Sequence, residues 1–492
     1  MSDARLLRAL LRDDLTAFVE KCFTTLEPGT PYRPNWHIQH VCWQLERVAR
    51  GDVRRLIINV PPRSMKSITV SIAFAAWLLG KDPTKRIMAV SYAADLARKL
   101  SVDTRTVMLA DWYQRAFREL VFASRQPRTL ELITTLRGYR FAAGMNGSIL
   151  GRGADVILID DPIKATDAAS EAERRRVNEA FDNTLRTRLD DKVKGAIVII
   201  MQRLHEDDLV GHVMGRDDWE VVSIPAIATE DRRYQLSDAP GDVYIRRAGE
   251  VLHAEREPLR VLEDIRRAQG SLVFSSQYQQ TPLPLEGNIV KREWLRSYAQ
   301  RPSEFSYIVA SWDTASTLSE SADWSVGTVW GAKGLDFYLL DRIRGRFEVP
   351  ELRRQIVALA NRWGVDQTVV EDGDMGRAIV QDLRRTGEVG VVLKRPQFDK
   401  QARFLAQSAR FESGQVYAPA NAPWYAEWLN ELLAFPNGKY DDQVDSTSQA
   451  LEYLTNRTRS LHVPKAPAGP VRVKPRPPDP PRKQGRGMPT RS

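Results

Sequence analysis

Two groups of residues in this 492-residue chain have the types and spacing to handle phosphates and metal ions. The first is split between Val60-Pro61-Pro62-Arg63-Ser64-Met65-Lys66-Ser67 and Asp155-Val156-Ile157-Leu158-Ile159-Asp160-Asp161-Pro162. A loop between a strand and a helix turns backbone N–H groups toward a phosphate. Arg63, Ser64, Met65, Lys66 and Ser67 would line such a loop, with Lys66 on the β- and γ-phosphates and the Ser67 hydroxyl on Mg²⁺. Val60 and Met65 stand where the usual phosphate-loop pattern has glycines. Asp160, at the end of an apolar run, would hold Mg²⁺ through water, and Asp161 would orient or deprotonate an attacking water. Gln202, after the run Ala196–Met201, would sense the γ-phosphate, while Asp207 and Asp208 suit a helix N-terminus.

The second group is acidic. Asp313 is a lone carboxylate in the apolar run Val309-Ala310-Ser311-Trp312-Asp313, where burial without a cation is expensive. Glu371 ends Thr368-Val369-Val370-Glu371. Asp441, Asp442 and Asp445 open a helix, at spacings that put carboxylates on one face and make them repel unless a cation binds. Hard oxygen ligands of this kind suit Mg²⁺ or Mn²⁺. Two ions about 4 Å apart would stabilise the attacking and leaving oxygens of a phosphodiester cleavage. Asp323 is a further candidate ligand. N-terminal capping alone would account for the Asp441–Asp445 run but not for Asp313.

The elements that must position these groups read as α/β. Strand-like runs at Arg55–Val60, Arg86–Tyr92, Val156–Asp160 and Ala196–Met201 alternate with helical patterns such as Ile68–Leu79 and Ala93–Leu109. Continuous apolar, β-branched runs fit a parallel sheet buried on both faces, and ligand sites form at the C-terminal ends of such strands. Residues 226–290 are rich in proline and read as irregular, and Thr281–Asn288 supplies turn residues for a junction. A second region reads Tyr307–Asp313, Ser325–Trp330 and Phe337–Arg342 as an antiparallel meander with turns at Gly331 and Gly334, then Thr368–Glu371 and Val389–Leu393 alternating with helices. The expected division is 1–290, 300–456 and a tail, 463–492. That tail carries eight Lys or Arg, one Asp and nine prolines, +7 of the net +9, and reads as a disordered basic arm, either solvated or docking on nucleic acid or protein.

Composition excludes other classes. Two cysteines, Cys22 and Cys42, cannot build a disulfide framework or a cysteine zinc site, which points to a reducing compartment. No apolar run approaches 18 residues, so no spanning helix and no membrane partner are expected, and the first residues lack a signal-peptide stretch. The chain reads as cytoplasmic. Trp36, His37 and His40 are candidates to pack against an adenine base.

The segments VPPRSMKS, SYAADLARKLS, GRGADVILIDDPIK, QRLHEDDLVG, SQYQQTPLPLEGN, WDTA, VVEDG and YDDQVDS, in this order from about residue 30 to 455, resemble the large terminase subunit of tailed bacteriophages, prophages and gene transfer agents. The resemblance implies an N-terminal P-loop packaging ATPase domain with a mostly parallel sheet, followed by a ribonuclease H-like, mixed-sheet nuclease domain. It implies ATP and Mg²⁺ (or Mn²⁺ in the nuclease) as cofactors. It also implies double-stranded DNA, a portal protein and a small terminase subunit as partners, and a homo-oligomeric ring, a pentamer on the portal, in the bacterial host cytoplasm. By motif, Arg63, Lys66 and Ser67 correspond to the phosphate loop, Asp160 and Asp161 to the Walker B acids and Gln202 to the coupling motif. Asp313, Glu371 and an acid of the Asp441–Asp445 run, Asp442 foremost, correspond to the nuclease centre. Asp161 stands where many such ATPases have Glu, and Met201-Gln202 where the coupling motif commonly has Thr or Ser. Arg63, Arg152 and Arg203 are all candidates for an arginine finger. The competing expectation is a helicase-like or DNA-repair translocase with an accessory nuclease domain; a third is a non-cutting motor component whose carboxylates only cap or pair.

Overall fold

The computed structural model describes residues 3–124, 128–145, 147, 149, 151–282, 289–314, 324–396, 398–438 and 440–462. Asp323, the basic tail from Val463 and most of the Thr281–Asn288 junction lie outside them.

The apolar runs of the first half form one seven-stranded sheet: β1 (Arg55–Asn59), β2 (Arg86–Ser91), β3 (Glu131–Ile133), β4 (Tyr139–Gly144), β5 (Val156–Asp160), β6 (Ala196–Met201) and β7 (Glu220–Ser223). The order is β3-β4-β2-β5-β6-β1-β7, parallel throughout except for β3 at one edge. Side chains alternate between two cores. Leu56, Ile58, Leu158 and Val198 face one; Ile57, Ile157, Ile159 and Ile199 face the other. Burial on both faces is why these strands lack an alternating polar pattern. The sequence reading missed β3, β4 and β7. Arg140 breaks the apolar run of β4, yet it is fully buried there. The stretch read as irregular holds a hairpin, β8 (Arg232–Gln235) with β9 (Val243–Arg246), and two helices, Leu259–Gln269 and Ser271–Gln277.

The second sheet comprises β10 (Arg296–Tyr298), β11 (Tyr307–Asp313), β12 (Ser325–Lys333), β13 (Asp336–Gly345), β14 (Gln367–Glu371), β15 (Val391–Lys394) and β16 (Val416–Pro419). Its order is β10-β16-β13-β12-β11-β14-β15. β11, β12 and β13 form the expected antiparallel meander, and β14 and β15 add in parallel. One expected turn is misplaced: Gly331 lies inside β12, and the chain reverses at Gly334, whose φ of 64° suits glycine. The link from β11 to β12 is also longer than the expected short turn, since it takes up residues 314–324.

The helix Asp442–His462 packs across β11 and β12. Its first two turns are buried although they are polar, because a hydrogen-bonded network seats them. The Ser446 hydroxyl donates to the Ser311 carbonyl oxygen at 2.8 Å and shares a 2.7 Å bond with the Thr328 hydroxyl; the Gln449 amide donates to the Ser311 hydroxyl at 2.9 Å. Buried polar groups persist only when partnered in this way. Ser446→Val should therefore lower unfolding stability by about 1–3 kcal/mol in chemical denaturation; a loss below about 0.5 kcal/mol would show that the network does not seat the helix.

Candidate phosphate and metal sites

The phosphate loop leaves β1 and enters a helix wound as a π-helix over Ile68–Phe74 and as an α-helix over Ala75–Lys81. Helical winding of Ile68–Leu79 was expected; the wide first turns were not, and such segments often mark functional sites. The missing glycines do not remove the loop's backbone shape. Met65 adopts φ 59° and Arg63 φ 62°, the left-handed region that normally favours glycine. Neighbours brace the loop: Arg256 donates to the Arg63 carbonyl oxygen, and the buried His37 lies against the Ser64 backbone. Burial pulls the His37 imidazole down to about 3, so it is neutral there. The Arg63 side chain is exposed, the buried Ser64 hydroxyl has no partner, and the Met65 side chain packs on the core.

β6 lies between β1 and β5, so the C-terminal ends of the three strands converge. Lys66 Nζ donates to Asp161 Oδ1 at 2.8 Å and to Gln202 Oε1 at 3.4 Å. Asp160 is buried, with Oδ2 accepting from the Ser71 hydroxyl at 2.7 Å and Oδ1 without a partner. Burial, and then the charge of Asp161, push Asp160 up to about 6 against the pull of Ser71, Lys66 and Ser67. A carboxylate oxygen left orphaned beside the Ser67 hydroxyl fits a Mg²⁺ ion and its water shell. Arg140, which sequence reading missed, donates to the Ser71 carbonyl oxygen at 3.1 Å and lends its charge to Asp160. The cue was available: a cation inside an apolar strand is as anomalous as Asp313.

Of the finger candidates, Arg152 is held by Glu131 and stacks on Phe141, and Arg203 is clamped on both oxygens of Asp208, at 3.1 and 3.0 Å. Arg63 alone of the three is exposed. Trp36 is not free for an adenine: Tyr244 stacks on it at 4.7 Å, and Tyr234 and Arg246 cover it. His40 is bonded to the Gln235 carbonyl oxygen at 2.7 Å.

In the second sheet, the parallel register pairs Trp312 with Val370 and so carries Asp313 level with Glu371 at the ends of β11 and β14. Gly376, in the helix Asp374–Thr386, lets that helix close on β14; a Cβ there would stand 2.3 Å from the Glu371 carbonyl oxygen. Asp445 comes over from the helix Asp442–His462. Burial, with Asp445 and Glu371 alongside, pushes Asp313 well above the ordinary carboxylate range. Burial also raises Asp445 to about 6, against the pull of Arg403 and Lys400.

The acids of the helix start do not act as one set. Asp442 is raised to about 6 by burial, Glu431 and Asp441, and faces Arg344 at 3.7 Å. Asp441 pairs with Lys400 at 2.7 Å. Arg403 bridges Glu371 and Asp445, at 3.0 and 2.8 Å, and Lys400 reaches Asp445 at 2.8 Å. Sequence reading missed both cations. Among the described residues, only His205, Glu206 and Asp207 bring three ligand atoms within 4.8 Å of one another. These are consecutive surface residues, whereas the Asp313 group is spread around Arg403. Its all-oxygen donor set and uncompensated charge nonetheless fit divalent ions.

The strained loop and the raised acids each have a measurable consequence. Arg63→Gly should keep unfolding stability within about 1 kcal/mol of the parent or raise it, whereas Arg63→Val should cost about 1–2 kcal/mol. Denaturant midpoints check this; a glycine costlier than valine would remove the strain at this position. Asp160, Asp442 and Asp445, at about 6 in the fold, exceed the ordinary value of about 4 in the unfolded chain. The folded state therefore binds more protons between these values, and ion-free stability falls as pH rises through that window. A divalent ion offsets the ionised form, so the rise in Tm with Mn²⁺ should be larger at pH 7.5 than at pH 5.5. Equal gains at both would place the ion elsewhere.

Comparison with known proteins agrees with this architecture. Residues 310–454 match the family model of the terminase RNaseH-like domain. Structurally the chain is similar to the large terminase from a thermophilic bacteriophage, at 10% identity and a TM-score of 0.54 over 87% of this chain and 100% of that one. The same terminase in complex with ADP aligns at 11% identity and a TM-score of 0.51, over 84% and 99%. No curated protein matches. Residues 310–454, which carry the ends of β11 and β14, thus match a terminase RNase H-like domain, on a chain whose two-sheet fold is similar to that of a phage large terminase.

Proposed function

We propose that this chain is the motor and nuclease subunit of a DNA-packaging machine: ATP hydrolysis drives double-stranded DNA into a procapsid, and a metal-dependent endonuclease cuts concatemeric DNA at the start and end of filling. The carrying observation is that two groups suited to phosphoryl transfer, Lys66–Asp161–Gln202 and Asp313–Glu371–Asp445, gather at strand ends of two separate sheets in one polypeptide, Asp445 being added from a helix. The fold is the one on which the thermophilic phage's terminase binds ADP. The terminase RNase H-like domain favours this reading over a strand-separating translocase.

In the ATPase, Lys66 donates to both Asp161 and Gln202 and stands within the loop that would cradle the phosphates. Lys66 would bind the β- and γ-phosphates of ATP, and the Asp161 carboxylate beside it would orient the attacking water and take its proton. Gln202 shares Lys66 with Asp161, which suits it to report nucleotide state. Ser67 and Asp160 would hold Mg²⁺, which neutralises phosphate charge when bound. In the nuclease, Asp313, Glu371 and Asp445 would hold Mg²⁺ or Mn²⁺, with Asp441 and Asp442 at the margin; the ions supply Lewis acidity and activate the nucleophile.

The expected domain division, 1–290 and 300–456, places one activity in each unit. DNA contact is electrostatic and salt-sensitive. A portal protein, a small terminase subunit and a ring of copies are the partners this function requires, in the cytoplasm of a bacterial host. Among the described residues no helix is long and apolar enough to cross a membrane.

Lys66→Ala should lower DNA-stimulated ATP hydrolysis on the order of a hundredfold or more and leave Mn²⁺-dependent plasmid cutting intact. Asp313→Asn should do the reverse. Loss of both activities in either folded variant, or plasmid cutting that survives Asp313→Asn, would refute two separable sites.

A further inference from the structure

The helix Lys400–Glu412 presents two cations from its first turn, Lys400 and Arg403, to the carboxylates of the nuclease site. This is the wrong end for positive charge: the helix dipole favours anions at an N-terminus and cations at the other end. Lys400 is exposed at the rim of the site, whereas Arg403 lies inside it. Arg403 is 8% exposed and joins Glu371 to Asp445, and Lys400 joins Asp445 to Asp441. Arg403 therefore donates to Asp445 Oδ1 and to Glu371 Oε2, while Asp445 Oδ2 lies 2.8 Å from Lys400 Nζ without a hydrogen bond.

These are the oxygens a divalent ion would need. Mg²⁺ binds carboxylates at about 2.0–2.1 Å and tolerates little distortion, and an N–H donor on the same lone pair excludes it. The charge count points the same way. Asp313, Glu371, Asp441 and Asp445 offer four negative charges against two positive ones, so two divalent ions with both cations still in place would leave excess positive charge. Arg403 also has unused capacity. Its Nε is buried without a partner, and a guanidinium is suited to bidentate binding of phosphate.

We propose that Arg403 and Lys400 are exchangeable counter-ions of the nuclease site: they occupy the carboxylates when no divalent ion is bound, give them up when ions enter, and then bind the phosphodiester backbone of the DNA. They are positioning residues, and ion entry and DNA binding become linked because the same two side chains serve both. The proposal rests on reading Asp313, Glu371 and Asp445 as an ion site.

The test uses the full chain and two readouts other than cleavage. Mn²⁺ binding without DNA is followed by electron paramagnetic resonance, counting only the binding that Asp313→Asn removes. Arg403→Gln and, on the more exposed partner, Lys400→Gln should each bind Mn²⁺ about fivefold more tightly or better than the parent. Melting curves with and without Mn²⁺ accompany this: Arg403→Gln should melt lower without the ion and recover most of the loss with it. The second readout is the salt dependence of binding to a short duplex. With Ca²⁺ present, each variant should lose about one unit of the log–log slope; without a divalent ion the slopes should match the parent's.

Unchanged or weaker Mn²⁺ binding in both variants would overturn the proposal and make the cations a fixed scaffold for Glu371 and Asp445. An unchanged slope with Ca²⁺ would overturn the phosphate half. If Asp313→Asn binds Mn²⁺ like the parent, the ion-site reading itself fails, whatever the other variants do.

Discussion

Carboxylates gathered at the ends of buried strands repel one another in surroundings that water cannot screen. A lone buried charge costs several kcal/mol, and a cluster costs more unless counter-charges are built in. Both sites are organised around this constraint. In the first sheet, Asp160 and Asp161 are offset by Lys66 from the loop after β1, by Arg140 from β4 and by the Ser71 hydroxyl. In the second, Glu371, Asp441 and Asp445 are offset by Arg403 and Lys400 from a single helical turn. Each set of counter-charges comes from an element other than the one bearing the acids, so neither site exists until its sheet and flanking helices have packed together.

This dependence explains what could be read from the residues alone. The strands bearing the acids were legible because burial on both faces writes an unbroken apolar run, and Asp160, Asp313 and Glu371 stood out as charges that such a run must explain. The convergence of the Lys66 loop with Asp160 and Asp161 followed from placing both at C-terminal strand ends; the ion pair between Lys66 and Asp161 did not. Arg403 and Lys400 were not legible. On an amphipathic helix with exposed arginines nearby, they have the spacing of a solvated face, and only the packing of that helix against the helix Asp442–His462 brings them to the carboxylates. Short strands such as β10 and β16, three and four residues long, carry too little periodicity to register.

The loop after β1 shows how local rules yield to context. Without glycine, Arg63 and Met65 hold a left-handed backbone that disfavours any residue with a Cβ. The loop is retained because Arg256 and His37, from elements distant in sequence, fix its carbonyl and backbone contacts. A consensus pattern requiring glycine would reject this loop, whereas the strand before it, the lysine within it and the acids opposite identify it. The chemistry needs the N–H groups to converge, and glycine is one of several ways to obtain that shape.

The two sites also share a wall. The helix Lys400–Glu412 begins at the nuclease carboxylates and ends against the first half of the chain, where Glu412 accepts a hydrogen bond from the Ser271 backbone N–H at 2.8 Å. Midway, Leu405 lines a small hollow of about 70 Å³ together with Ala165 and Ala168, just beyond the Asp160–Asp161 pair, and Leu204 and His205, just beyond Gln202. The segments that leave the strand ends of the first sheet therefore line the same hollow as the helix whose first turn carries Lys400 and Arg403. A helix is stiff along its axis, and this one runs from the nuclease carboxylates to Glu412. A shift of a few tenths of an ångström at Leu405 is of the size that decides whether a guanidinium keeps or loses a 2.8 Å contact with a carboxylate.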